Sequence, residues 1–471
     1  MYRFRYDTPE ALGIPSAALL KFLARLEKID FVHGLVLMRH GKVAIEGIRR
    51  PFDPERPHQL FSVSKSFTSA AIGMARREGL LKLDDRLVDY FPEYAKTAHP
   101  RLAKTRLCDL LSMQSGFEAC TARRMFASPD GDWVKCYFSL VPEGDPGTFF
   151  TYNSGATYML GAVLHRLTGE TLREYLTPRL FEPLEIVPGI WECCPRGLNC
   201  GGWGLYLKLR DLAKFAQLLL DGGSYDGREL IPADYLAEAS KPHADNSMNT
   251  KPDWKLGYGY QFWKSTYGYR CDGAAGQYAV ILPEFDLAFA SVSATPTMQA
   301  ILTALWEEVI PALSPSPLPE APEARAKLME TLDKLAIPAA AGDEPPRRIR
   351  RVFEFSPNAS GIEACAVDAE NDECSLSFRL AGGVTEQLRA GFGKFACSTV
   401  KLTDLCAHPT AASAAWRNGK LVIESFILDG IYRSTYSVDF TPGTAEPITR
   451  EDVCSTFRPP WAPLKLRGAE N

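Results

Sequence analysis

The sequence places a serine and a lysine three residues apart at the start of an apolar segment, as Ser62 and Lys65. On a helix, residues i and i+3 share a face, so the hydroxyl and the amine can meet. An amine whose pKa is lowered by burial can take the hydroxyl proton and turn the serine into a nucleophile. A helix N-terminus would also offer N–H groups and the positive end of its dipole to a developing oxyanion. The pair therefore predicts acyl transfer at Ser62.

The four-residue pattern is weak evidence by itself. Ser398 and Lys401 repeat it in a segment predicted to be a strand, where residues i and i+3 point to opposite faces. Ser62 could simply cap a helix, and Lys65 could lie at the surface. The residues from Phe67 to Ala75 favour the chemical interpretation, because nearly all of them are small or apolar and predict a helix buried on most sides.

Two further segments carry groups that could complete such a site. The phenol of Tyr152, if it lies near a lysine, could deliver a proton to a leaving group, although an isolated tyrosine is more often a core residue with its hydroxyl bonded to the backbone. Asp272 and Gly273 begin a glycine-containing turn before the apolar segment YAVILP. A glycine lets a substrate approach the main chain closely, so an N–H there could complete an oxyanion hole. An ordinary turn explains the same residues.

Composition and charge exclude several other classes of function. The chain has 471 residues, of which 46% are hydrophobic and 23% charged, and its net charge is −4. Two or three domains and no nucleic-acid partner are expected. The twelve cysteines are scattered, and the histidines form no HExxH motif, which predicts reduced thiols, no metal and no cofactor. With neither a secretory signal nor an apolar run of spanning length, we expect a cytoplasmic protein without a membrane partner.

The elements that must position these residues can be predicted along the chain. A β-hairpin is expected over His33 to Gly47, and a helix from Ser62 to Glu78 that Gly79 ends. The next 140 or so residues (80–220) are mostly helical and loop-like, and strands return from Tyr258 to Ala294 as YGYQFW, QYAVILP and DLAFASVSA. The pattern predicts an α/β (α+β) fold, an antiparallel sheet flanked by helices with an inserted helical subdomain.

The C-terminal third has a different character. Residues 314–347 are rich in Pro and Ala and predict a linker with one short helix. Residues 348–471 contain the alternating segments CSLSFRL, KLVIESFIL and STYSVDF, which predict an all-β accessory domain. The hydrolase domain is accordingly predicted over residues 1–313.

Six blocks in order resemble the serine β-lactamase-like superfamily, over about residues 10–310. They are FSVSKSF, LLSMQSGF, FFTYNSGATYMLG, GGWGLYLKLRDLAKFAQLLLDGG, GYGYQFW and DGAAGQYAVILPEFDLAF. That group includes class C β-lactamases, DD-peptidases, family VIII esterases and 6-aminohexanoate-dimer hydrolases. Several blocks at matching spacing are far more specific than any single motif.

The resemblance implies a role for particular residues. Ser62 corresponds to the acylated serine, Lys65 to its lysine partner and Tyr152 to the tyrosine of the Tyr-x-Asn element. Residues 271–273 (Cys-Asp-Gly) stand where the superfamily has Lys-Thr-Gly. The main-chain N–H groups of Ser62 and Ala274 would then form the oxyanion hole.

The chain departs from the superfamily pattern at two positions. Ser154 replaces the Asn of Tyr-x-Asn, with Asn153 one place earlier, and the neutral Cys271 replaces the Lys of Lys-Thr-Gly. That lysine helps to hold the substrate carboxylate in penicillin-processing members, so its loss weakens the case for β-lactam turnover. The Tyr-x-Ser and Gly-x-x-Gly-Gln variants resemble the 6-aminohexanoate-dimer hydrolase and esterase branch. The candidate substrate-pocket residues are Ser154, Asp272, Gly273 and Gln277.

These observations together predict a serine hydrolase that cleaves a small-molecule ester or amide through an acyl-enzyme on Ser62. Two alternatives remain open: a β-lactamase or D-amino-acid peptidase, and a catalytically silent scaffold that binds a ligand or assembles through its β-rich tail. The sequence carries no signal for the acyl group, the leaving group or the oligomeric state.

Overall fold

The structure is a computed structural model that describes residues 4–29, 31–402, 406–454 and 461–467. Its contacts divide the chain into two compact units, of which the first comprises Met1–Gly47, Pro57–Ser293 and Thr297–Asp333 and the second the remainder. The first unit includes a helix in the segment expected to be a linker. The predicted boundaries at 313 and 347 stay predictions, and the outermost residues of the two predicted domains lie outside the described ranges.

The α-helices of the described residues belong to the first unit. They are α1 (Ser16–Glu27), α2 (Ser64–Arg77), α3 (Leu107–Leu111), α4 (Ala122–Phe126), α5 (Trp133–Ser139), α6 (Ser154–Thr168), α7 (Leu172–Leu176), α8 (Leu209–Leu220), α9 (Ala233–Ala239), α10 (Met298–Ala304) and α11 (Pro322–Asp333). Within the described ranges, no helix has the length and apolar character needed to cross a bilayer. Helices α3 to α8 lie within residues 80–220, the region that the sequence predicted to be mostly helical.

The strands of the first unit are short, apart from those of one central sheet. They are β1 (Arg5–Tyr6), β2 (Val32–Arg39), β3 (Lys42–Ile48), β4 (His58–Gln59), β5 (Tyr206–Leu207), β6 (Ser224–Tyr225), β7 (Arg228–Glu229), β8 (Trp263–Lys264), β9 (Tyr269–Gly273), β10 (Gln277–Leu282) and β11 (Leu287–Ser293). The sheet has the order β1-β3-β2-β11-β10-β9-β8, and β2, β11, β10, β9 and β8 pair antiparallel in that sequence. The predicted antiparallel sheet is confirmed.

The central sheet is buried on both faces. Successive side chains of a strand point to opposite faces, so Val36 and Met38 pack into the core that contains α2, α6 and α8, while Leu35 and Leu37 pack with α1 and α10. Leu328 of α11 is fully buried in the second of these cores. This double burial explains why the strands have nearly continuous apolar sequences.

The segment YGYQFW differs from its predicted strand. Only its last residue, Trp263, lies in a strand, and the preceding chain is bent. Gln261 has a left-handed backbone (φ +66°), and its side-chain amide donates to the carbonyl oxygens of Leu110 and Leu111. Those side-chain bonds replace a strand ladder that the aromatic composition alone would favour.

The second unit is an antiparallel sheet with one buried face. Its strands are β12 (Arg348–Glu354), β13 (Ile362–Glu370), β14 (Glu373–Leu380), β15 (Thr385–Phe392), β16 (Ala396–Val400), β17 (His408–Arg417), β18 (Lys420–Ile427), β19 (Arg433–Asp439) and β20 (Ile448–Val453). The sheet has the order β12-β13-β14-β15-β17-β18-β19-β20, and β16 also pairs with β17; these pairs are antiparallel except that β15 is parallel to β17. Leu376 and Phe378 of β14 enter the core, while Ser375 and Ser377 between them are half-buried. The predicted C-terminal all-β region is confirmed.

Candidate active site

The first element of the site is the turn that carries Ser62. A 3-10 turn, Phe61–Val63, leads directly into α2, so the α-helix begins two residues later than predicted. Phe61 has a left-handed backbone (φ +49°), which is uncommon for a bulky residue and is held here by its surroundings. Ser64 donates to the Phe61 carbonyl at 2.6 Å and accepts the Leu205 N–H at 3.1 Å. These bonds fix the turn and leave the Ser62 hydroxyl half-exposed at its mouth.

Lys65 lies one turn deeper and is 1% exposed. Its Nζ lies 3.0 Å from Ser62 Oγ, 2.9 Å from Ser154 Oγ and 2.7 Å from the carbonyl oxygen of Gly202. Burial lowers the pKa of Lys65 to about 7, although Cys120 and Asp272 partly oppose this shift. Near neutral pH a substantial fraction of the amine is therefore uncharged and able to accept the Ser62 proton.

Tyr152 reaches the same hydroxyl from the residues that precede α6. Its ring stacks on Trp263 with centroids 5.4 Å apart and meets Tyr258 edge-on at 6.1 Å, while Lys65 Nζ lies 4.7 Å from its centroid. Burial raises the pKa of Tyr152 well above its usual value, and a hydrogen bond with Ser62 opposes that rise. The phenol is consequently protonated at neutral pH and suited to passing a proton on.

Asn153 and Ser154 have separate tasks in the next turn. Asn153 is the N-cap of α6, and its side-chain oxygen accepts the N–H groups of Gly155, Ala156 and Thr121. It is fully buried, so it holds the helix start. Ser154 begins the helix, and its hydroxyl oxygen accepts a hydrogen bond from Lys65 Nζ, while its place in a substrate pocket stays a prediction.

The C-terminal end of β9 lies close to the turn Phe61–Val63, which carries Ser62. A Cβ on Gly273 would overlap the carbonyl oxygen of Leu60, so only glycine permits this packing. The turn from Ala274 to Gln277 follows at once and therefore lies beside the segment that bears Ser62. Such a turn can present a main-chain N–H toward a substrate carbonyl.

Gln277 supports this turn and does not offer its amide to the pocket. The side chain is fully buried, and its nitrogen donates to the carbonyl oxygens of Ala274 and Ser293 at 3.0 and 2.5 Å. Its oxygen accepts the N–H of Ser293 at 3.1 Å. Gln277 therefore ties the turn to β11, which is a positioning task.

Position 272 carries a buried acid beside the site. Asp272 is 7% exposed, and its carboxylate accepts a hydrogen bond of 2.8 Å from Arg270, which is itself fully buried against Trp254. Burial raises the pKa of Asp272 to about 6, against the lowering effect of Arg270. Cys271 is fully buried, and burial raises the pKa of its thiol to about 12, so it remains neutral.

The structure thus brings Ser62, Lys65, Tyr152 and Ser154 together around one hydroxyl. Sequence reasoning missed the carbonyl of Gly202 as an acceptor for Lys65, and it missed the exposed Cys120, whose sulfur accepts the Ser154 N–H at 3.3 Å. A signal for the first existed in the Gly201-Gly202 pair, since a Cβ on Gly202 would lie 2.9 Å from the Ser154 carbonyl oxygen. Among the described residues, no group of three or more His, Cys, Asp or Glu side chains is arranged to hold a metal ion.

Comparison with known proteins places this geometry in context. The family model described as Beta-lactamase matches residues 26–309. Penicillin-binding protein 4 of Amycolatopsis lactamdurans is 25% identical over 311 residues, which cover 56% of this chain and 78% of that protein. The 6-aminohexanoate-dimer hydrolase of Paenarthrobacter ureafaciens is 27% identical over 213 residues, which cover 42% and 54% of the two chains.

A solved structure supports the fold. The penicillin-binding protein homologue from Caulobacter crescentus superposes with a TM-score of 0.52 at 18% identity, over 65% of this chain and 100% of that one. The likeness therefore covers the whole of a relative's fold but leaves about a third of this chain unmatched.

Proposed function

This chain belongs to the beta-lactamase family, and from that membership and the geometry around Ser62 we propose that it is a serine hydrolase, which cleaves an ester or amide through an acyl-enzyme. The observation that carries the proposal is the contact of 3.0 Å between Ser62 Oγ and an amine whose burial lowers its pKa to about 7. A nucleophile and its base within hydrogen-bond reach are the minimal equipment for covalent acyl transfer.

In the first step, uncharged Lys65 takes the hydroxyl proton as Ser62 Oγ attacks the substrate carbonyl carbon. The carbonyl oxygen becomes an oxyanion, which the N–H groups of Ser62 and Ala274 stabilise. The short 3-10 turn supports this assignment because it fixes the Ser62 amide relative to the hydroxyl, and the close packing of Gly273 on Leu60 brings the Ala274 turn alongside.

In the second step, the tetrahedral intermediate collapses and the leaving group takes a proton. Tyr152 is the donor, because its phenol is protonated at neutral pH and its hydroxyl bonds to Ser62. The proton that Lys65 removed returns to the phenol, so the site is neutral again when the alcohol or amine departs. Water then attacks the acyl-enzyme with the same groups acting in reverse.

The residues at the C-terminal end of β9 favour substrates without a carboxylate next to the scissile bond. Cys271 is buried and neutral where penicillin-processing relatives carry a lysine, and Asp272 adds a carboxyl group that Arg270 already neutralises. The cation of β9, Arg270, is buried and already paired with Asp272, so it is not available to bind a substrate carboxylate. Neutral esters and amides fit this edge better than β-lactams, which carry such a carboxylate.

Covalent labelling tests the proposal directly. A fluorophosphonate probe is expected to modify Ser62, as located by peptide mass spectrometry, and prior labelling should abolish hydrolysis of a p-nitrophenyl acyl ester. A folded protein that the probe leaves unlabelled would support a silent scaffold instead.

A substrate panel separates the remaining alternatives. We expect turnover of a p-nitrophenyl ester and an anilide, with nitrocefin at least about 100-fold slower, since losing a paired charge contact costs a few kcal/mol. Nitrocefin turnover at a rate comparable to that of the ester would favour a β-lactamase. The cytoplasmic location and the small-molecule partner expected from the sequence stay predictions.

A further inference from the structure

The second unit contains a cluster of chemically reactive groups outside the Ser62 site. The thiol of Cys406 lies 3.3 Å from Nε2 of His408, and Nδ1 of the same imidazole lies 3.0 Å from a carboxylate oxygen of Asp429. Cys406 is exposed, while the side chains of His408 and Asp429 are 11% and 19% exposed. A reachable thiol therefore has a largely buried imidazole and carboxylate behind it.

The sheet register explains how these groups meet. Strands β17 and β18 pair antiparallel, with Thr410 opposite Ile427. Continuing the same register by two residues places His408 opposite Asp429, at the end of the hairpin. A cross-strand pair of this kind holds its side chains within reach of each other, so the arrangement follows from the backbone.

The order of the three groups indicates proton transfer. The imidazole lies between the thiol and the carboxylate, with one ring nitrogen facing each, so the groups form a line and do not converge on a point. A carboxylate that accepts the Nδ1–H of His408 leaves the Nε2 lone pair facing the thiol. This is the nucleophile, base and orienting carboxylate arrangement that activates catalytic thiols and hydroxyls.

We propose that Cys406 is an activated thiol that undergoes thiol–disulfide exchange with small-molecule disulfides. The thiol proton moves to His408 Nε2, and the sulfur of Cys406 attacks one sulfur of the disulfide. The disulfide bond breaks as the new mixed disulfide forms, and the departing thiolate takes the proton back from the imidazolium. One disulfide and one protein thiol thus give one mixed disulfide and one free thiol.

A cavity lies next to the residue that follows Cys406. Ala407, the next residue, lines a cavity of about 440 Å³ that is also lined by Arg389, Lys401 and Cys397. Cys397 is exposed as well, which makes it a matched control. Cys397 lines this cavity, and no histidine contact is described for its thiol.

The experiment measures the two thiols in one molecule. The reduced full-length protein is treated with 5,5′-dithiobis(2-nitrobenzoate) at pH 7, and the modification of each cysteine is followed by peptide mass spectrometry. An ordinary thiol is only a few per cent thiolate at this pH, so activation is expected to make Cys406 about tenfold faster than Cys397. As the pH falls from 8 to 6, the Cys406 rate should fall less steeply than the Cys397 rate.

Two substitutions identify the base. His408→Ala is expected to reduce the Cys406 rate to that of Cys397, and Asp429→Asn to reduce it by a smaller factor. Rates for Cys406 and Cys397 within about twofold of each other in the wild type would overturn the proposal, as would a His408→Ala protein in which Cys406 reacts at the wild-type rate.

Buried thiols of the same unit show whether a variant has unfolded. Cys365 and Cys374 are buried in the core of the sheet and should stay unmodified in every folded protein. If His408→Ala exposes these thiols, the proposal is tested by Asp429→Asn and by the ratio of the Cys406 and Cys397 modification rates in the wild type.

Discussion

Two segments of this molecule share the pattern Ser-x-x-Lys and differ in almost everything else. At the start of α2, Lys65 Nζ lies 3.0 Å from Ser62 Oγ and the lysine is 1% exposed. In and just after β16, Ser398 accepts a main-chain N–H at 3.5 Å, and the Lys401 side chain is exposed. The main-chain N–H of Lys401 donates to Glu386 instead.

The difference teaches that the backbone decides what the pattern can do. Helical geometry brings i and i+3 to one face, whereas a strand sends them apart. Burial adds the second requirement, because an exposed ammonium keeps its proton and cannot act as a base at neutral pH. Only the first segment meets both conditions.

Replacing each of the two serines by alanine is expected to give the largest difference in kcat. Ser62→Ala is expected to lower kcat for a p-nitrophenyl ester by about 10⁴-fold or more, because it removes the oxygen proposed to form the acyl-enzyme. Ser398→Ala should leave the rate within about twofold of the wild type. A Ser62→Ala protein that kept most of its activity would break the comparison.

Replacing each of the two lysines by methionine is expected to give the next largest difference in kcat. Lys65→Met keeps the length of the side chain but removes the base, and kcat should fall by about 10³-fold. Lys401→Met is the matched control and should have no measurable effect on kcat. Circular dichroism spectra of both variants should match the wild type, and equal losses in the two would refute a specific role for Lys65.

Removing one oxygen from Tyr152 tests the proton relay. Tyr152→Phe retains the stacking on Trp263, so the site should stay packed while kcat falls by about 100-fold. The loss should be smaller for a p-nitrophenyl ester, whose leaving group scarcely needs a proton, than for an alkyl amide. Equal losses on both substrates would argue that the phenol positions Ser62 and transfers no proton.

The pH profile follows from the shifted lysine. Burial disfavours the ammonium, so the uncharged base prevails above the lowered pKa of about 7. For a neutral ester, kcat/KM should therefore rise about tenfold per pH unit below pH 7 and level off above it. Asp272 has its pKa raised to about 6, so Asp272→Asn serves as the control. Because the charge of Asp272 also favours the Lys65 ammonium, Asp272→Asn should move the limb slightly to lower pH, whereas loss of the limb would assign the titration to the carboxyl group.

The smallest expected effect concerns a residue that only holds the scaffold. Asn153→Ala removes the N-cap of α6 and leaves the Thr121 N–H without its acceptor, at a cost of about 2 kcal/mol in the free energy of unfolding. Denaturant unfolding measures this change. Activity per folded molecule should fall less than tenfold, and a loss as large as that of Lys65→Met would make Asn153 more than a cap.

Much of the first unit could be predicted from local sequence. The apolar run after Lys65 indicated a buried helix, and the segments before and after Asp286 indicated strands, because burial and chain direction are encoded within a few residues. The helical insertion and the C-terminal sheet followed from the same kind of pattern.

The contacts that complete the site could not be predicted in this way. Gly202 reaches Lys65 from 137 residues further along the chain, and Cys120 meets Ser154 across a separate turn. Glycine-rich loops have no periodicity, so nothing local states which side chain they will approach. The cluster of Cys406, His408 and Asp429 could not be predicted for the same reason, because Asp429 meets His408 only through the pairing of β17 with β18.

The turn after Gly273 has a consequence for redesign of the pocket. A main-chain amide is common to every residue except proline, so the donor assigned to Ala274 survives almost any change of side chain there. Larger or polar side chains at this position are therefore expected to leave the proposed oxyanion donor in place. The side chain of residue 274 can thus be varied without changing its main-chain N–H.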